Sequence, residues 1–214
     1  MTTDRAKRYH HGDLKAALVD GALELIVERG VRGFSLAELS RRLGVTVAAP
    51  YRHFASRDEL LAEVAVRALQ TFGAALAAQP SEADPPEQRL AAMTAAYVRF
   101  AAEQPALFGV VFGIGLDKKL RNPELREAYE DVEGMLDACV AELCPDDPDA
   151  AEQLGDAIGA AAHGYAALLT DQPGAPDPAD VDRAAEHAAS ATRALIQGRA
   201  ALKEARPDRD NGAG

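Results

Sequence analysis

The chain contains no tryptophan, and its 214 residues include only five tyrosines and six phenylalanines. An interior so poor in large rings must be filled by aliphatic side chains and by close approach of helices. Cysteine is almost missing as well. Cys139 and Cys144 stand five apart, with no Cys-x-x-Cys pair or Cys/His cluster around them, so neither a zinc site nor a disulfide framework is expected. Two reduced thiols with Cys139 in the core is one reading, and a redox-responsive Cys144 is the other. Strand-type alternation is nearly absent. No apolar run is read as a membrane span, and Met1–Lys15 is too polar for a signal peptide, so a cytoplasmic protein without membrane contact is expected. No Ser-His-Asp spacing, phosphate loop or metal constellation is visible, which argues against an enzyme and against any cofactor. Basic residues are in deficit too, 23 against 34 acidic ones, for a net charge of −11.

What is present in quantity is alanine, within a hydrophobic fraction of 48%. Alanine is the best helix former, so the expectation is an all-α chain of about nine helices. Periodicity and breakers place the first at about 13–29, with Leu14, Leu18, Ala22, Leu25 and Ile26 inward. Two short ones follow within about 36–53, and then helices at about 57–78, 87–103 and 105–112. Gln79 to Pro86 breaks the series. Asn122 and Pro123 read as cap and first position of a seventh helix running to about Leu143. The eighth and ninth lie at about 148–171 and 178–202, and a disordered tail is expected over 207–214.

The densest information lies in 33–61. Ser35 precedes Glu38 by three, a capping box, and Phe34 and Leu39 fall where a hydrophobic staple would sit. Leu36, Leu39 and Leu43 give one buried face. Arg41 and Arg42 lie near the helix end, and Gly44 suits a left-handed stop. Thr46 is positioned to cap a following helix at about 46–53, with Pro50 in its first turn. Ser56 and Glu59 form a second capping box that opens a longer helix at Arg57. Two helices around a tight corner near an N-terminus describe a helix-turn-helix.

Charge is distributed to match. Residues 1–60 hold 10 Lys and Arg against 8 Asp and Glu, whereas 61–214 hold 13 against 26. The front of the chain is therefore mildly positive, at +2, and the remainder strongly negative, at −13. Such a body would be pushed away from phosphate while the front is drawn to it.

Phe34-Ser35-Leu36, Leu43-Gly44-Val45-Thr46, Tyr51-x-His53-Phe54 and Arg57-x-x-Leu60 together resemble the DNA-binding domain of the TetR family of bacterial transcriptional regulators. Tyr9-His10-His11-Gly12-Asp13-Leu14 and His163-Gly164 resemble a subgroup of it, although the tryptophan expected four residues before His163 is replaced by Gly159. The resemblance implies a helix-turn-helix DNA-binding domain over 1–60 and an effector-binding and dimerisation domain over 61–206. The third helix would enter the major groove of a palindromic double-stranded operator. Val47 and Ala48 would face the groove floor, and Arg52 would read a guanine edge or grip a phosphate. Tyr51 and His53 match family positions that hold backbone phosphate. Ser35, Thr46 and Arg57 sit at helix starts suited to phosphate, and the arm Arg5-Lys7-Arg8 adds further contacts.

The same resemblance implies a homodimer through the eighth and ninth helices, which present small residues at helical spacing (Gly155, Gly159, Ala162, Ala166; Ala184, Ala185, Ala188). It also implies a pocket for a small-molecule effector in the C-terminal helices. Met93, Tyr97, Phe100, Phe108, Phe112, Tyr129, Met135 and His163 are the lining candidates, and the same stripe also reads as ordinary core. The resulting expectation is a ligand-responsive regulator, a repressor released from DNA by a small molecule. The alternatives are an architectural DNA-binding protein without a ligand and, less in keeping with the motifs, an all-α enzyme.

Overall fold

The structure, a computed structural model, describes residues 14–78, 81, 83–113, 122–171 and 174–200, with Arg32 described by its backbone alone. The arm at Arg5, Lys7 and Arg8, the Tyr9–Asp13 motif, the loop over 114–121 and the tail at 207–214 lie outside the described residues. Within them the regular elements are all helical. They are α1 (Leu14–Gly33), α2 (Leu36–Leu43), a 3-10 turn (Pro50–Arg52), α3 (Arg57–Ala77), α4 (Pro86–Glu103), α5 (Pro105–Gly113), α6 (Pro123–Leu143), α7 (Pro148–Thr170) and α8 (Pro178–Gln197). The all-α expectation holds, and α1 breaks its helical path at Gly30, one residue past the expected end.

Two compact units divide the chain: Met1–Ala68 with Ala106–Arg126, and Leu69–Pro105 with Glu127–Gly214. Helix α3 contributes its residues 57–68 to the first and 69–77 to the second. In the first unit, Leu18, Ala22, Leu25 and Ile26 of α1 are buried, as are Phe34, Leu36, Leu39, Phe54, Leu60 and Val64. The α1–α2 contact is close enough to need a glycine. A Cβ at Gly21 would lie 2.9 Å from Leu39 Cδ1, inside van der Waals range.

The ends of α2 follow from local chemistry. Ser35 Oγ accepts from Glu38 N at 3.2 Å, but the Glu38 carboxylate turns to Arg29 and Arg41 instead of closing the box. Gly44 sits at φ 67° as the left-handed cap. Its N–H donates to Arg41 O, and Val45 N donates to Ser40 O at 3.0 Å, the paired bonds that satisfy a helix C-terminus. At the start of α3, Glu59 N donates to Ser56 Oγ while the Glu59 carboxylate accepts from Ala55 N. Two orphan donors are thereby satisfied.

In the second unit α4 packs against α7 and α8, which also pack against each other. The interface is built from small and β-branched residues, including Ala91, Ala95, Val98, Val181, Ala185, Ala188 and Ala189. This is how a chain with few rings makes a core: short side chains let helix axes approach. A buried hydrogen bond between Thr192 Oγ1 and Thr94 Oγ1, 3.0 Å, fixes the register of α4 on α8. Arg89 pairs with Glu142 at 2.5 Å. Leu154, Gly155, Ile158, Ala162, Ala166 and Leu169 of α7 are buried. The start of α6 belongs to the first unit, where Asn122 Oδ1 caps it by accepting from Leu125 N at 2.9 Å. Cys139 and Cys144 are both buried and free, and burial raises the Cys139 thiol above its ordinary range.

One expectation needs correction. No segment long and apolar enough to span a membrane is expected from the sequence, yet α3 is long and apolar enough by length and composition, with a mean hydropathy of 1.4. Its apolar residues include Leu60, Val64, Ala65, Ala68, Leu69 and Phe72, all buried. That is the pattern of a helix enclosed by neighbours within a protein.

Candidate functional site

The segment after α2 was expected to be a helix over about 46–53. It is shorter and tighter. Thr46 O accepts from Ala49 N at 2.9 Å, Ala49 O from Arg52 N at 3.2 Å, and Pro50 O from both His53 N and Phe54 N at 3.0 Å. Pro50 has no N–H to return to Thr46, so the chain closes i→i+3 bonds and makes a 3-10 turn over Pro50–Arg52. Nor does Thr46 act as a side-chain cap, because its exposed hydroxyl makes no hydrogen bond among the described residues.

Pro50 and Phe54 are buried and hold this turn in place, with His53 half-buried between solvent and core. Thr46, Val47, Ala48, Tyr51 and Arg52 all remain exposed, Val47 at 57% and Tyr51 at 55%. The result is a short, anchored surface, displaying a hydroxyl, two apolar side chains, a phenol and a guanidinium.

Electrostatics single out one of those groups. Most cations of the first unit are already matched: Lys15 with Glu63, Arg29 and Arg41 with Glu38, Arg42 with Glu28, Arg67 with Asp20. Arg57, expected to contact phosphate, is half-buried. Its Nη2 donates to Val31 O at 2.8 Å and its Nε to Phe34 O at 3.3 Å. Its guanidinium also lies 5.4 Å from the centre of the Phe34 ring. Arg57 thus ties the start of α3 to the chain between α1 and α2. Arg52, by contrast, has no side-chain ion pair or hydrogen bond among the described residues. Ser35 Oγ accepts the α2 cap bond from Glu38 N and keeps its O–H as a donor.

The residues expected to line an effector pocket are divided between the two units. Phe108 and Phe112 belong to the first unit, where their rings lie 4.6 Å apart. In the second unit, Tyr97 meets Phe72 edge-on at 5.1 Å, and Phe72 lies 5.0 Å from Phe100. Tyr97 Oη is 2.9 Å from His163 Nδ1. His163 stands on an exposed part of α7, so its link to Tyr97 bridges solvent and interior. Burial, with Tyr129 adding to it, raises the Tyr97 phenol well above its ordinary range. Burial and Glu133 push Tyr129 up to about 12. Both stay protonated donors in neutral water. Met93 is buried. Phe72 is not among the sequence candidates, although its place on one helical stripe with Leu69 and Leu76 is the signal that marks it. A separate open groove of about 350 Å³ on the second unit is lined by Tyr165, Leu168, Gly174, Asp180, Arg183 and His187, among others. Among the described residues no three His, Cys, Asp or Glu side chains gather as a metal site.

Comparison with known proteins gives consistent results. A family model for bacterial regulatory proteins of the tetR family matches residues 18–64. A model for the tetracyclin repressor-like C-terminal domain matches residues 90–192. The HTH-type transcriptional regulator YobS of Bacillus subtilis (strain 168) is 33% identical over 91 residues, which cover 42% of this chain and 47% of that protein. The chain thus spans about half the length of the curated relatives it matches. A protein of unknown function from Rhodococcus sp. RHA1 superposes with a TM-score of 0.69 at 28% identity, covering 90% of this chain and 98% of the other. FadR of Bacillus subtilis, solved in complex with stearoyl-CoA, superposes with a TM-score of 0.65, covering 86% and 98%. At 15% identity that second likeness speaks for the fold alone.

Proposed function

Because this chain belongs to the TetR family of bacterial regulatory proteins, with its N-terminal and C-terminal domains in order, we propose that it is a ligand-responsive DNA-binding transcriptional regulator. In this reading it is a homodimeric repressor that leaves a palindromic operator when a small molecule binds. The supporting observation is the anchored turn, whose exposed face ends in the one described guanidinium of the first unit that has no protein partner. Arg52, Thr46, Tyr51 and the Ser35 hydroxyl are the donors proposed for DNA. Val47 and Ala48 are the apolar contacts, and His53 supports Tyr51 against the backbone. Arg57 acts here by positioning the turn. The proposed domain division is 1–60 for DNA and 61–206 for effector and partner. The subgroup marked by Tyr9–Leu14 and His163-Gly164 is part of the same proposal, as is action in the cytoplasm, where the DNA is.

The effector site is proposed around Met93, Tyr97, Phe100, Tyr129 and His163, with Phe72 added. A cluster of rings with two protonated phenols and an imidazole suits an apolar or aromatic molecule carrying an acceptor. FadR, which shares this fold, is solved with stearoyl-CoA, a long acyl chain on a charged carrier. Phe72 and the start of α3 share one helix, so a ligand that shifts Phe72 would be felt at Arg57. A coupling of about 1–3 kcal/mol would change operator affinity roughly 5–150-fold. The proposed dimer contact uses the remaining faces of α7 and α8, where Leu168 is 73% exposed beside Gly164 and Tyr165. Binding both half-sites of a palindrome would require the two recognition turns of the dimer to lie about one helical repeat of DNA apart, ~34–36 Å.

Selection of bound sequences from random double-stranded DNA by the full chain tests this reading. A palindromic consensus, with binding weakened by Arg52→Ala, is the expected result. Equal affinity for every sequence would leave an architectural DNA-binding protein instead.

A further inference from the structure

Among the described residues five large apolar side chains stand exposed, and two of them, Val47 and Tyr51, lie within one five-residue stretch of the recognition turn. The turn is held by buried Pro50 and Phe54, so Val47 is presented to solvent on a fixed backbone. Among the described residues of the first unit none covers it.

The residues around it limit what can be read. Each base offers a different edge in the major groove: guanine two acceptors, adenine an acceptor and a donor, cytosine a donor, thymine an acceptor and a methyl group. Adenine is matched by the amide of Asn or Gln, and cytosine by a carboxylate. From Val45 to Arg57 the chain has no Asn, Gln, Asp or Glu. Its hydroxyls, Thr46 and Tyr51, suit more than one edge and discriminate little; the selective groups are one free guanidinium, Arg52, which matches guanine, and the exposed methyl groups of Val47 and Ala48, which match only a methyl. Arg57 is occupied by Val31 O and Phe34 O.

We infer that each operator half-site carries a thymine whose C5-methyl group packs against Val47, with Ala48 beside it, next to a guanine read by Arg52. The inference rests on the reading of this turn as a major-groove element. It assigns Val47 as a specificity-determining residue, and the thymine methyl as the group it recognises.

The test uses the full chain and the consensus obtained by selection. Each thymine of a half-site is replaced in turn by deoxyuridine, which removes the methyl and leaves the hydrogen-bonding edge unchanged. Affinity is read by fluorescence anisotropy. One position is expected to lose about fourfold, the worth of one buried methyl-sized group, and about fifteenfold when both half-sites carry the change. Val47→Ala should bind thymine and uracil operators within twofold of each other while keeping its preference for guanine. Because Val47 is exposed, that variant should melt with the parent, which separates reading from folding. Selected half-sites without thymine would overturn the inference. So would uracil tolerated at every position; in either case tight palindromic binding would leave the regulator reading standing. Absence of any sequence preference would sink both.

Discussion

Replacing Arg57 distinguishes a brace from a DNA contact. Its guanidinium donates 2.8 Å to Val31 O and 3.3 Å to Phe34 O, and lies over the Phe34 ring. A hydrogen bond with one charged partner contributes about 1.5–3 kcal/mol. The longer of these two belongs at or below the low end, and both carbonyls regain water when the side chain is cut back. A cation over a ring at a partly exposed site adds about 0.5–1 kcal/mol. The net loss for Arg57→Ala should be about 2 kcal/mol, close to a thirtyfold change in the folding equilibrium. Arg57→Lys keeps the charge but cannot fork to two carbonyls, so about half the loss is expected. Urea unfolding at fixed protein concentration, followed by far-UV circular dichroism, reads both values. Amide exchange should rise around Val31–Phe34 before it rises in α4 or α8. If Arg57→Ala unfolds within 0.5 kcal/mol of the parent but loses operator binding, the brace is wrong and the side chain is a DNA contact.

Three further outcomes follow from named contacts. Arg52→Ala on a defined operator should leave the salt dependence of binding unchanged if Arg52 reads guanine, with the preference for that base gone; a phosphate grip would instead flatten the log–log salt slope by about 0.9 per subunit. Tyr97 and Tyr129 ionise above the ordinary phenol range when folded, whereas the unfolded chain loses these protons near pH 10. Between about pH 10 and 12 the unfolded state therefore binds fewer protons, and stability should fall as pH rises; urea midpoints at pH 9 and 11 check this, and a Tyr97→Phe/Tyr129→Phe variant that falls as steeply as the parent would refute the assignment. Leu168→Asp should dissociate the proposed dimer at least a hundredfold in sedimentation equilibrium, since two-fold symmetry removes two buried leucines worth about 1.5–3 kcal/mol each; an unchanged assembly would place the dimer contact elsewhere.

Local signals were legible where one residue and its near neighbours decide the outcome. Ser35 and Asn122 cap their helices as read, Gly44 takes the left-handed stop, and the break at Gly30 falls one residue from expectation. The 46–53 segment was misread because Pro50 was allowed into a helix as a first-turn residue, when its missing N–H redirects Thr46 O to Ala49 and tightens the turn. The expectation of no membrane-length apolar segment misses α3, whose length and composition alone pass that test; what composition does not register is that its apolar residues are buried by neighbours.

The sequence alone determined that the chain is helical, that a helix-turn-helix lies near its front, and that charge is divided between front and body. These depend on spacing, capping and composition, which are properties of neighbours along the chain. Only the tertiary structure decided which cations remain free to meet DNA, because Arg42 finds Glu28, Arg67 finds Asp20 and Arg57 finds Val31 across gaps of 14, 47 and 26 residues. It alone set Tyr97 against His163, 66 residues away, and Phe72 against both Tyr97 and Phe100. A pairing across such distances leaves no period in the sequence, since it is chosen by how helices pack and by which polar groups burial obliges to find a partner.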